Sequence, residues 1–225
     1  VYILALDTSS EYCSAALWRD GVVDARDAHA GQRHSAIALG MVDELLAANG
    51  LRSGDLHGIA YGQGPGSFTG LRIACGITQG LAFARGLPVV GIVTLLALAE
   101  AANAPRVVCC IDARMNEIYH AAYEKSDGVW TAVHEPALMP AAAAPQLPGK
   151  DWVGCGSGFG TYRAALAARY ENALSRIEPD LYPHARDIVR LAVPRFEQGS
   201  TLRPEEAAPL YLRDKVALRT DERPR

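Results

Sequence analysis

The sequence predicts an α/β chain built twice, with mixed sheets flanked by helices in two lobes. Three observations carry this. Apolar, strand-like runs alternate with helical segments after residue 50, the pattern of helices packed on a sheet. An apolar run, an acid-tipped turn and a second apolar run open the chain and recur about a hundred residues later. GQGPGSFTGLRIACGITQG, 62–80, then reads as strand, tight turn and helix N-terminus. Its glycines permit close backbone approach, and its helix start presents unpaired N–H groups.

YILALD, 2–7, is an apolar run ending in an acid. TSSE makes a turn, CSAALWRDG, 13–21, is a second strand closed by Asp20-Gly21, and VVDARD gives a third. From 34 to 49, Ile37, Met41, Leu45 and Ala48 recur at helical steps, and Asn49-Gly50 ends the helix. LHGIAYG, 56–62, is a fourth strand, 67–85 a long helix, and LPVVGIV, 87–93, a fifth strand. Thr94 is expected to cap a short helix reaching about residue 102. A second unit starts near Pro105, where RVVCCIDA, NEIYHAAYE and DGVWTAV repeat the opening. This divides the chain into units 1–104 and 105–225. Four prolines in 136–149 predict an irregular connection. DWVGCGSG, 151–158, is a strand and glycine turn, followed by helices over 161–170 and 184–199, the latter kinked or shortened by Pro194. PLYLRDKVA, 209–217, closes as a short element before a charged tail expected to be mobile.

Composition narrows the function classes. A net charge of −3 over 225 residues, with no Lys/Arg run before the tail, argues against a stand-alone nucleic-acid binder. The five cysteines form no C-x-x-C and sit in apolar runs, which fits a reducing compartment. Without a secretory leader or an unbroken apolar run of membrane-spanning length, a cytoplasmic chain without membrane contact is expected.

Two acid-bearing turns offer the only constellation with chemistry. Asp7, followed by Ser9, ends the first strand, and Asp112, followed by Arg114, ends its counterpart. In a duplicated cleft-forming fold these turns face each other, as the acids that organise a metal–phosphate complex do in actin-like ATPases. With Gly64, Gly66 and Ser67 they outline a vestigial nucleotide or phosphate cleft. It is vestigial because TSSEYCS contains no glycine; turn or cap roles compete for Asp7. The six histidines have no H-x-x-x-H or H-E-x-x-H spacing, so no metal site is expected. Ser67 lies in GPGSFTG, outside a G-x-S-x-G elbow, and caps a helix more readily than it attacks a substrate. No residue is assigned a catalytic role. The helices 34–48 and 67–85 carry more apolar and small residues than one buried stripe needs, which fits core packing or a partner-binding pair.

Together ILALDTS at the start, HS at 34–35, GPGSFTGLRI at 64–73, GLPVVGI at 86–92, DARMNEIYHA at 112–121 and YLR at 211–213 resemble the TsaB (YeaZ) family. The resemblance covers nearly the whole chain in order. It implies an actin-like/Hsp70-like two-lobe fold whose final segment can return to the first lobe. It also implies a part in making threonylcarbamoyladenosine at position 37 of tRNAs that read codons beginning with A. Family members are the non-catalytic partner of the paralogous TsaD, which carries the metal and transfers the group; the ATPase TsaE joins as third subunit. The paralogue's H-x-x-x-H pair has no counterpart in GIVTLLALAE, 91–100.

The resemblance further implies a heterodimer with TsaD, and a homodimer when alone, through the two first-lobe helices. His34, Ile37, Met41, Leu45, Leu46, Leu71, Ile73 and Ile77 are the interface residues it points to. On that reading Leu45→Glu or Leu46→Glu dissolves the complex and spares the fold. No cofactor is assigned to this chain; ATP or ADP would sit at the interface of the complex. tRNA is the substrate of the complex, with most contacts made by the partner. Gly40, Asn116 and the loosely matching stretch after 136 depart from the family pattern. The rival readings are a degenerate ATP-dependent phosphotransferase or peptidase using Asp7, Ser9 and Asp112, and a homodimeric structural protein.

Overall fold

The computed structural model describes residues 1–213. The end of the expected element at 209–217 and the charged tail lie outside them. The chain runs β1 (Tyr2–Asp7), β2 (Tyr12–Arg19), β3 (Val22–His29), α1 (His34–Ala48), β4 (Gly58–Gly64), α2 (Phe68–Phe83), β5 (Val89–Val93) and α3 (Thr94–Ala101). It continues with β6 (Arg106–Asp112), β7 (Glu117–Ser126), β8 (Val129–Pro140), β9 (Trp152–Cys155), α4 (Ser157–Thr161), α5 (Arg163–Tyr170), β10 (Leu174–Glu178) and α6 (Ala185–Glu197).

The duplication is explicit in the sheets. One has the order β3-β2-β1-β4-β5, the other β8-β7-β6-β9-β10. In each, the first three strands are antiparallel and the last two add in parallel. This is the two-lobe architecture of the actin-like fold. Central strands are apolar on both faces, as strands covered on both sides must be. On β1, Leu4 and Leu6 face α1 and α2, while Ile3 and Ala5 face α6.

Between the sheets, the halves exchange helices. Leu95, Leu98 and Ala99 of α3, from the first half, pack on Val107, Cys109 and Val153 of the second sheet. Ile188, Val189, Ala192 and Val193 of α6, from the second half, pack on Ile3, Ala5, Ala60 and Ile92 of the first. The layers are therefore α1/α2, first sheet, α3/α6, second sheet, α4/α5. α3 bridges the lobes, with Ala97 in the first-sheet core and Leu95, Leu98 and Ala99 against the second sheet, while α6 returns to the first lobe.

Local expectations differ in four places. Thr94 lies inside α3 with no capping bond of its own; its Oγ1 instead accepts from the Gly64 N–H at 3.1 Å. The stretch 136–149 begins as strand, because β8 runs through Pro136 to Pro140 before a 3-10 turn at Ala141–Ala143. Proline is tolerated there because β8 is an edge strand and carries an extra residue between its His134 and Ala137 pairings. α6 continues past Pro194 to Glu197, its buried face lying before the proline and Phe196 beyond it packing partly buried against the first-sheet core. β10 has no apolar run to announce it: three of its five residues are exposed at the sheet edge.

Candidate functional site

The two duplicated turns face each other across a cleft of about 1420 Å³, lined from both lobes. The first-lobe wall is built by close backbone packing. Ser67 N–H donates to the Ser9 carbonyl at 2.8 Å, and Thr8 Oγ1 donates to the Gly70 carbonyl at 2.6 Å. A Cβ on Gly70 would lie 1.8 Å from the Thr8 carbonyl oxygen, and one on Gly66 2.6 Å from that of Ser9. The glycines of GPGSFTG are thus required where the turn after β1 rests on the start of α2. Ser67 caps that helix, its Oγ accepting from Gly70 N–H at 3.3 Å. Gly64 has a φ of 116° and packs against the Leu210 carbonyl.

Asp7 is fully buried and does not line the cleft. One carboxylate oxygen accepts from the Ser9 hydroxyl at 2.9 Å, and the other, Oδ1, has no partner among the described residues. Burial pushes its pKa up to about 7, against the pull of the Ser9 donors. In the second turn Asp112 accepts from Arg114 N–H at 2.8 Å, from the Arg114 guanidinium at 3.1 Å and from Tyr162 OH at 3.0 Å.

The actin-like fold implies a magnesium–nucleotide between such turns, and these residues do not fit one. Asp7 is sealed beneath its own turn, and the Asp112 carboxylate is already neutralised by Arg114. The cleft expected from Asp7, Ser9, Gly64, Gly66, Ser67, Asp112 and Arg114 is corrected accordingly. Ser9, Gly66, Ser67, Asp112 and Arg114 line it, whereas Asp7 and Gly64 are structural. Among the described residues no group of three or more His, Cys, Asp or Glu is placed to hold a metal.

The residues expected at a helical interface separate into two sets. Leu45, Leu46 and Leu71 are 0%, 3% and 1% exposed; the first two belong to the core around β1, β2 and β4, and Leu71 packs against Gly64 beneath the cleft. They cannot meet a partner, which corrects the expectation that Leu45→Glu or Leu46→Glu would spare the fold. His34 is buried at the cleft, its Nε2 hydrogen-bonded to the Ser10 carbonyl at 2.9 Å. Ile37, Met41, Ile73 and Ile77 are half-buried along the seam of α1 and α2. Beside Ile73 and Ile77, one helical face of α2 presents Gly76 and Gly80, followed by Phe83 at 74% exposure. Among the described residues outside the helix's own backbone, nothing lies within 4 Å of a Cβ built on either glycine.

Two further groups at the cleft are not legible as site residues in the sequence. Arg72 stacks over Phe68 at 3.8 Å and donates to Tyr211 OH at 2.9 Å. Arg213 reaches the turn after Asp112. Arg72 lies within GPGSFTGLRI and Tyr211 and Arg213 within YLR, but neither motif by itself marks them as cleft residues.

Residues 27–220 match the family described as "TsaD: tRNA N6-adenosine threonylcarbamoyltransferase". The chain is 38% identical over 224 residues to the tRNA threonylcarbamoyladenosine biosynthesis protein TsaB of Escherichia coli strain K12, covering 96% of each. The chain belongs to the TsaB (YeaZ) family. The Haemophilus influenzae TsaB is also 38% identical, covering 95% of this chain and 94% of that protein. The solved structure of YeaZ from Pseudomonas aeruginosa superposes with a TM-score of 0.87 at 36% identity, covering 94% of this chain and 99% of that one. Among the described residues of this TsaB-family chain, no helix is long and apolar enough to cross a membrane.

Proposed function

We propose that this TsaB-family chain is a non-catalytic subunit of the cytoplasmic assembly that installs threonylcarbamoyladenosine at position 37 of tRNAs reading codons beginning with A. Its relatives of 38% identity carry that biosynthesis in their names. Its partner is the transferase TsaD, with TsaE as third subunit, and tRNA is the substrate of the whole. Alone, the chain pairs with a second copy through the same surface.

One observation carries the assignment of that surface. Gly76 and Gly80 lie within a 16-residue helix, exposed, with no neighbour among the described residues that a side chain would displace. Glycine costs about 1 kcal/mol relative to alanine inside a helix, and packing among the described residues gives no reason for it. Close approach of a second helix does. The non-catalytic role is supported by the occupied acids of the two turns. Titration of the chain with TsaD from the same organism tests the reading. A stoichiometric complex is expected, and loss of threonylcarbamoyladenosine from tRNA in depleted cells. Absence of binding, or unchanged nucleoside under confirmed depletion, overturns it.

A further inference from the structure

Residues 199–213 return along the first lobe after α6. Leu202 exchanges backbone hydrogen bonds with Val89, at 2.8 and 2.9 Å, beside the edge strand β5. The Ala207 carbonyl accepts from Gln79 Nε2 at 2.9 Å, Ala208 shares two hydrogen bonds with Tyr61 OH, and Leu210 N–H donates to the Gln63 carbonyl at 2.6 Å. Tyr211 then lies against Phe68, ring centroids 5.4 Å apart, and accepts from Arg72. Up to this point every partner named belongs to the first lobe.

Arg213 changes lobe. Its guanidinium donates to the Ala113 carbonyl at 3.0 Å, approaches Met115 Sδ at 3.4 Å and pairs with the Glu117 carboxylate at 2.7 Å. Its side chain is only 16% exposed. The turn it grips holds Arg114, Met115 and Asn116 at φ values of 62°, 54° and 64°. Three successive non-glycine residues in the left-handed region persist only where the surroundings hold them. The same strap and turn both line the cleft.

We propose that residues 207–213 form a strap that latches the two lobes across the cleft, with Arg213 as the group that closes it. The strap is anchored on α2 and β4, and its guanidinium fixes the distance between that lobe and the turn after β6. The chain then has one cleft width while the latch is made and a wider, more variable one when it is broken. This role is independent of any partner and stands whether or not α2 docks one.

Pulsed electron–electron resonance on spin labels at Asp55→Cys and Glu171→Cys, one exposed site in each lobe, reads the interlobe distance directly. The five native cysteines are buried and remain unlabelled. A single narrow distribution is expected for the labelled parent. Arg213→Gln and Glu117→Ala should each broaden it and shift it to longer distance, and the double variant should go no further than the larger single effect. Amides of 113–117 should exchange faster in both variants. If Arg213→Gln folds and its distance distribution overlays the parent's, the latch is overturned. If that variant fails to fold, Glu117→Ala decides by the same criterion.

Discussion

Replacing Gly76 on α2 separates the stability of the chain from its association in a way few positions allow. Among the described residues a Cβ there meets nothing within 4 Å, so Gly76→Ala creates neither clash nor cavity with them. Helix propensity alone then acts, favouring alanine by about 1 kcal/mol. For a chain of this size that raises the melting midpoint by about 2–4 °C. The same position in a helix–helix contact behaves oppositely. Gly76→Leu inserts bulk where two backbones meet, and overpacking of that kind costs about 1–3 kcal/mol, a loss of roughly 5- to 150-fold in affinity. The assay is a pair of measurements. Thermal melts are taken at a concentration where sedimentation shows a monomer, and calorimetric titration is done with TsaD. Stabilisation by Gly76→Ala with weakened binding by Gly76→Leu is the expected outcome. If Gly76→Ala lowers the midpoint, or Gly76→Leu binds TsaD as the parent does, the reasoning fails.

Other perturbations test the interior. Asp7 has its pKa raised from 3.8 to about 7 in the fold, so between those values the folded state holds more protons than the unfolded one. Stability is therefore lost as pH rises through that window, by about 4 kcal/mol if the shift is fully realised. Asp7→Asn, which keeps an acceptor for Ser9, should be more stable than the parent at pH 8 and close to it at pH 4; urea titrations at the two pH values check this. Leu45→Glu places a charge at a core position with 0% exposure and should unfold the isolated chain, seen as loss of cooperative melting by circular dichroism. Gly70→Ala sets a methyl against the Thr8 carbonyl and should cost about 3 kcal/mol in chemical denaturation.

Much of the fold is legible in the sequence because its strands and helices keep their own periods. The duplication can be seen in YILALD and RVVCCIDA, whose apolar runs become the central strands β1 and β6. The role of Thr94 and the existence of β10 escape a sequence reading for one reason: long-range neighbours decide them. Thr94 meets Gly64 across 30 residues, and β10 exists because β9 offers it an edge. At the candidate site, GPGSFTG announces a tight turn and a capped helix. The carbonyls of Thr8 and Ser9 on which it rests are set by tertiary packing. Asp7 and Asp112 are legible as paired turn acids, but not the burial of one and the Arg114 and Tyr162 donors around the other. Helical spacing of Leu45, Leu46 and Leu71 cannot tell an inward from an outward face; the glycines at 76 and 80 mark the outward one.

The exchange of α3 and α6 between the sheets has a consequence for synthesis. On the ribosome, the first five strands emerge well before α6. Until residue 197 is clear of the exit tunnel, Ile3, Ala5, Ala60 and Ile92 lack the α6 apolar face that covers them in the finished chain. The first lobe therefore cannot complete its core vectorially. It must wait, with α3 alone on one apolar face of its sheet, for the second lobe to be translated. A nascent chain stalled at residue 104 should be protease-sensitive and hold a trigger-type chaperone, and one stalled with α6 exposed should release it.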